Sequence, residues 1–436
     1  MKQSSCRDRL ELALSRIAEP DGQGPQTCLT VYQDAARAAA AAADARAALG
    51  VSLGPLDGVI VSIKDLFDVA GEPTRAGSKI LAEEAPTAAA DAAIVRRLRA
   101  GGAAIVAKTN MTEFAFSGIG ANPHFGTPGN PRDRARVPGG SSAGAPVAVA
   151  DGMCEISIGT DTGGSVRIPA ALCGLVGFKP SRQRVPTDGA FPLSFTLDSI
   201  GPIASSVIDC AKADAVMAGE DFSFAPPGAA ALAGLRFGIA EGLPLDRLDD
   251  TVSAGFAAAI KRLEAAAVRL NRETLALFDD MNEVNAKGGI SPPESCAIHR
   301  DRLRRRAADF DPNVRVRIER GCAVSAADYV DMLRERGRLV RAMDTRLATL
   351  DVLVMPTTSI VAPTIAEVAD EKVFAARNAA LLRNTAIINF FDLCAITLPV
   401  FGTPPALPMG LMLVARNGQD KRLLSIAAAV EGLLKN

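Results

Sequence analysis

From Gly54 onward the chain alternates short apolar runs with amphipathic stretches: GVIVSIK, then AAIVRRLRAGG, then AAIVAK. Apolar runs of this length suit buried strands, and the intervening helical periodicity marks the layers that cover them. The alternation predicts an α/β structure with a largely parallel sheet. Strand-like runs recur at 154–159 (CEISIG), 235–242 (LRFGIAEG), 351–356 (DVLVMP), 394–400 (CAITLPV) and 409–415 (MGLMLVA). One central sheet accounts for all of them. Residues 7–48 read as helices, ending in the Ala-rich run from Ala35 to Leu49, where high helix propensity combines with interspersed Asp and Arg on a wet face. The stretch from about 250 to 350 is helical and highly charged, and is read as an insertion covering one side of the sheet within a single domain spanning 1–436.

Composition narrows the function. With 436 residues, 48% hydrophobic and 22% charged, the chain is a globular protein with a sizeable core. Lys plus Arg number 48 against 49 Asp plus Glu, a net charge of −1, so no overall field favours nucleic acid or an anionic membrane. The basic run RDRLRRR at 300–306 interleaves an acid and carries no aromatic, which fits a solvated helix face. Only His124 and His299 are present, which excludes a metal centre built from several histidines and leaves few imidazole bases. The eight cysteines are scattered without a CxxC pair and read as buried thiols of a reducing cytoplasm. The N-terminal MKQSSCRDRLELALSRI is charged and amphipathic, and no segment reaches the roughly 18 apolar residues of a membrane span. The expectation is a cytoplasmic protein that is neither exported nor bound to a membrane.

Candidate chemistry concentrates between Val137 and Ser181. Two clusters, Gly139-Gly140-Ser141-Ser142-Ala143-Gly144 and Gly159-Thr160-Asp161-Thr162-Gly163-Gly164-Ser165, set serines beside glycines on turns that flank a strand. Glycine lets main-chain N–H groups approach a ligand, and serine supplies a nucleophile. Neither cluster has the Lys-Ser ending of a phosphate-binding loop or the GxGxxG of a dinucleotide site. A serine hydroxyl needs a base within hydrogen-bond reach, and both histidines lie outside this block. The candidate base is a lysine neutralised by burial, and Lys64 at the end of the apolar strand 58–63 fits. Spacing alone leaves Lys64 equally readable as a strand-end lysine in solvent.

These stretches resemble the amidase signature family of serine hydrolases. The likeness runs through VSIKD (61–65), KTNMTEF (108–114), NPHFGTP (122–128), GFKP (177–180), DSIGP (198–202) and DVLVMPT (351–357), and the interval from Ser141 to Ser165 is the family's 24 residues. The resemblance implies a large twisted mixed sheet covered by helices on both faces. It makes Ser165 the acylated nucleophile, Ser141 a bridging serine on a cis peptide, and Lys64 the base. Backbone N–H groups of Thr162, Gly163, Gly164 and Ser165 would meet the oxyanion, the two glycines avoiding side chains that would crowd the approach. Asp161 and Arg167 become charges that brace the loop, and His124 a piece of turn structure. Phe116, Ser142 and Phe191 are the expected substrate-binding residues, with Phe114 and Phe195 nearby. Some family members that bind acidic substrates carry arginine one position after Arg167, where this chain has Ile168, which weakens the case for a carboxylate on the substrate.

The implied activity is cleavage of the C–N bond of a small carboxamide through an acyl-Ser165 intermediate, without cofactor or metal. Two alternatives stay open. The segment 383–394 is similar to that of allophanate and carboxybiuret hydrolases, pointing to urea-like or carbamoyl substrates. The glutaminase subunit of a tRNA-dependent amidotransferase would share the same triad. The expected partner is a small amide, with no nucleic acid and no membrane, and a homodimer is a frequent state in the family.

Overall fold

The computed structural model describes residues 4–220, 228–402 and 407–435. The first three residues of the amphipathic N-terminal stretch fall outside them. The strands are β1 (Cys28–Val31), β2 (Ile60–Lys64), β3 (Ala104–Thr109), β4 (Ile156–Thr160), β5 (Val176–Lys179), β6 (Ile200–Ala204), β7 (Arg236–Ala240), β8 (Arg269–Glu273), β9 (Val352–Pro356), β10 (Cys394–Val400) and β11 (Met409–Ala415). They form one sheet in the order β1-β3-β2-β4-β6-β5-β10-β11-β9-β7-β8. All five strand-like runs outside the opening triplet fall on strands of this sheet.

The largely parallel arrangement expected from the alternation is corrected to a mixed sheet. Parallel pairing joins β2 to β3 and β4, and β7 to β8 and β9. The middle of the sheet, from β4 through β6, β5, β10 and β11 to β9, is antiparallel throughout. Antiparallel neighbours need no helical crossover, and β10 pairs directly with β11, the next strand in the sequence. Apolar clusters lie on both faces of the sheet. Ile63, Ile105 and Leu413 belong to one, and Ala107, Ala148 and Val166 to another beneath the N-terminal helices.

Two further expectations change. The stretch 7–48 is not helical throughout, because β1 interrupts it between helices Cys6–Ile17 and Gln33–Ala48. The cysteines are not all free thiols. Cys296 and Cys322 form a disulfide, while the other six are buried and unpaired. The bridge becomes possible because helix Pro312–Cys322 folds back along helix Ser291–Arg306. Their backbones pass so closely that a Cβ on Gly321 would meet the Pro292 carbonyl oxygen at 2.0 Å. No helix among the described residues is long and apolar enough to cross a membrane.

Candidate active site

Strand β2 is buried over its whole length between β3 and β4, so its last residue carries its side chain into the protein. Lys64 is fully buried. Its Nζ donates to Ser141 Oγ and to Thr160 Oγ1, both at 2.8 Å. No carboxylate lies within ion-pairing distance of it among the described residues. Burial therefore dominates and lowers the amine to about 7, against the pull of Asp198 and Asp161 toward the charged form. Of the two readings of Lys64, the buried one holds.

Ser141 follows a cis Gly140–Ser141 peptide, as the resemblance implied. Its carbonyl accepts from the amides of Thr112 and Ala143, both at 3.0 Å, at the entry to helix Gly144–Ala150. Ser142 turns the other way, and its expected place beside the substrate is corrected. It is fully buried, its hydroxyl donates to the Thr160 carbonyl at 3.4 Å, and it packs so tightly on β4 that a Cβ on Gly159 would lie 2.6 Å from its Oγ.

Ser165 sits on the turn between β4 and helix Arg167–Cys173. Asp161 organises that turn. Its carboxylate accepts from the amides of Val166 and Arg167, from the Arg167 guanidinium at 3.0 and 2.8 Å, and from Asn389 Nδ2 at 2.9 Å. Burial alone would raise this acid, but Arg167 and the hydrogen bonds hold it down to about 2. Arg167 is itself fully buried and also donates to Thr385 O and Asn389 Oδ1. It is a brace, with no path to a substrate carboxylate.

With the flanking amides occupied in this way, the four N–H groups of Thr162, Gly163, Gly164 and Ser165 donate to no acceptor among the described residues. Successive unsatisfied donors on a turn form an anion-binding concavity. The reason for glycine differs between the two positions. Gly164 has φ +135°, and a Cβ there would lie 2.1 Å from Thr385 Oγ1; at Gly163 the nearest atom, on Leu382, is 3.4 Å away. Thr385 Oγ1 in turn donates to Gly163 O at 2.6 Å, fixing the turn to helix Glu371–Phe390. Ser165 Oγ has no hydrogen-bond partner among the described residues, and the residue opens into a cavity of about 170 Å³.

That cavity is lined by Phe116, Ser117, Leu193, Leu197, Arg317 and Phe390, among others. Phe116 lines the cavity into which Ser165 opens, Phe191 lines a neighbouring cavity with Phe195, and Phe114 is buried against the His299 ring at 4.0 Å between centroids. Neither histidine hydrogen-bonds a serine among the described residues. His124 Nε2 faces Glu113 Oε1 at 3.1 Å, and burial lowers His299 to about 3.

Sequence reasoning missed Arg317. It lies on helix Pro312–Cys322, partly buried, with its guanidinium 4.5 Å from the Phe116 ring centroid. Among the described residues it has no carboxylate partner and no hydrogen bond, and burial lowers its pKa to about 10. In the sequence it is one arginine of a charged helix, VRVRIER, with no local signal to set it apart.

The family model for amidases matches residues 9–424. The chain belongs to the amidase family. As an amidase-family hydrolase it acts on carbon–nitrogen amide bonds. It is 38% identical over 404 residues to a 2-amino-5-chloromuconic acid deaminase of Comamonas testosteroni, covering 92% of this chain and 86% of the relative. It is 36% identical over 377 residues to the 1-carboxybiuret hydrolase subunit AtzE of Pseudomonas sp. (strain ADP), covering 83% and 80%. A crystal structure of an amidase superposes with a TM-score of 0.87 at 32% identity, covering 99% of this chain and 96% of that one. This amidase thus shares its large mixed sheet with that solved amidase structure.

Proposed function

We propose that the protein hydrolyses a small amide or urea-like compound whose acyl half carries a carboxylate, through an acyl-Ser165 intermediate. The observation that carries the carboxylate is Arg317, an unpaired guanidinium in the cavity that holds Ser165. An arginine removed from water without a counterion is costly, and an anionic ligand offsets that cost with charge-assisted hydrogen bonds. The Ile168 departure, which weakened the case for a carboxylate, concerned only the nucleophile's own helix. Here the cation comes from across the cavity. Both relatives carry acids in their names, a muconic acid and a carboxy-substituted biuret.

In this reading neutral Lys64 takes a proton from Ser141, and Ser141 takes one from Ser165 as Ser165 Oγ adds to the carbonyl carbon. Free amides of the 162–165 turn meet the oxyanion, each donor worth roughly 2.7–4 kcal/mol of transition-state stabilisation. The C–N bond then breaks as the relay returns the proton to nitrogen, which would otherwise leave as an amine anion. Water hydrolyses the acyl-serine by the same relay.

The test pairs labelling with a substrate panel. A fluorophosphonate should label Ser165 in the native protein and nothing in Ser165→Ala, and unlabelled native protein would end the acyl-serine reading. Among amides, ureas and their carboxylated counterparts, the carboxylated compounds should be preferred. Arg317→Met should raise KM for them roughly 10- to 100-fold, the equivalent of about 1.5–3 kcal/mol for a charged hydrogen bond. An equal loss on uncharged amides would sink the role of Arg317.

A further inference from the structure

A second cavity adjoins the one that holds Ser165. Ala115, Thr162 and Leu193 line both and form the wall between them. The second cavity measures about 280 Å³ and reaches Thr160, whose hydroxyl accepts from Lys64. At its outer rim Thr187 and Asp188 are exposed. The two spaces have opposite character. Arg317 is the charged residue lining the first, whereas Asp198 and Asp188 are the charged residues lining the second.

Asp198 is held firmly. Its Oδ1 accepts from Thr162 Oγ1 at 2.6 Å and its Oδ2 from the amides of Leu193 and Ser194 at 3.0 and 3.1 Å. An ionised carboxylate offers about four acceptor sites, so one remains for a ligand. Burial pushes its pKa up to about 6, which still leaves it ionised at neutral pH. The Thr160, Thr162 and Thr187 side chains add hydroxyl oxygens to the same lining.

From this arrangement we infer that the second cavity is the leaving-group subsite, which takes the amine half of the substrate with Asp198 as acceptor for its N–H groups. The inference rests on the acyl-Ser165 reading. In the acylation step the Ser165 Oγ–C bond forms and the C–N bond breaks. The proton lost by Ser165 reaches nitrogen by way of Ser141, and a neutral amine departs. The proton donor stands on the Lys64 side, and Thr160, which contacts Lys64, opens into the second cavity and not the first. A nitrogen protonated there has this acidic cavity beside it, with a route to solvent past Asp188. The volume is several times the share of one water molecule, about 30 Å³, so the class of leaving group extends from ammonia to small primary amines of several heavy atoms.

A subsite that receives an amine also delivers one, so the test is interception of the acyl-enzyme. The full-length protein is acylated with a nitrophenyl ester of a small dicarboxylic acid in the presence of methylamine or ethanolamine, and the ratio of amide to free acid formed is measured. Amide formation should saturate with amine concentration. Asp198→Asn should lower the amine-to-water ratio at least tenfold while Ser165 still reacts with a fluorophosphonate. A linear dependence on amine, or an unchanged ratio in Asp198→Asn, overturns the subsite. If Asp198→Asn does not fold, Ala190→Leu narrows the same cavity and should shift the preference from ethanolamine toward ammonia; an unchanged preference overturns it equally. Native protein that fails to label at Ser165 strikes the underlying reading, whereas labelling with unsaturable amine strikes only the subsite.

Discussion

The proposed chemistry turns on one lysine kept without a counterion. Lys64 sits at about 7 in the folded chain against an ordinary value near 10.4, so the unfolded chain binds the extra proton between those limits and stability rises with pH across that window. Below pH 7 burial of the amine costs about 5 kcal/mol, at about 1.4 kcal/mol per tenfold change in the protonation equilibrium. Lys64→Met should therefore unfold at a higher temperature than the native protein at pH 7 while losing turnover. A lower melting temperature for the variant would mean that the amine's hydrogen bonds outweigh its desolvation. In the native enzyme, kcat/KM should climb as pH passes through about 7, because only the neutral amine can accept a proton. A flat profile from pH 6 to 8 would remove Lys64 from the role of base. At this scale much was legible in the sequence. The two serines and the lysine sit in motifs whose residue types follow from the chemistry. Ser142 was misplaced and Arg317 missed because the direction of a side chain on a turn, or across a cavity from another helix, leaves no trace in local spacing.

At the scale of elements, the loop 193–198 depends on helix Ser291–Arg306. Glu294 is buried on that helix and accepts from the hydroxyls of Ser194 and Thr196 and from Tyr329 OH. A hydrogen bond to a charged group is worth about 1.5–3 kcal/mol, and several converge here. Glu294→Gln should loosen the loop, lowering kcat/KM by about tenfold for the price of one such bond and reducing thermal stability. Unchanged kinetics would show the loop to be held by its own contacts. The elements that escaped the sequence have a common cause. β8 reads RLNRE and lies at the sheet edge with mostly exposed or half-exposed side chains, so no apolar pattern announces it. β1 spans four residues between two helices and was absorbed into their periodicity. The buried runs at 351–356, 394–400 and 409–415 stood out because both of their faces are covered.

For the molecule as a whole, the disulfide joins the helix that carries Glu294 to the helix that carries Arg317. Closing a loop of 26 residues is worth about 3.5 kcal/mol in the chain-entropy model. Reduction, or Cys296→Ser, should lower the melting temperature by a few degrees and raise KM for carboxylated substrates more than it lowers kcat, because Arg317 shares the freed helix. An unchanged KM would assign the bridge to stability alone.

The partition built from Ala115, Thr162 and Leu193 has a consequence for redesign. Because each of these three residues fronts both cavities, altering any of them should, on the proposed assignment of the cavities, retune tolerance for the acid half and the nitrogen half of a compound together. Arg317 and Ala190 each front a single compartment, so substitutions there adjust one half on its own. A library that varies the two groups of positions separately would therefore explore linked and independent selectivity in the same scaffold.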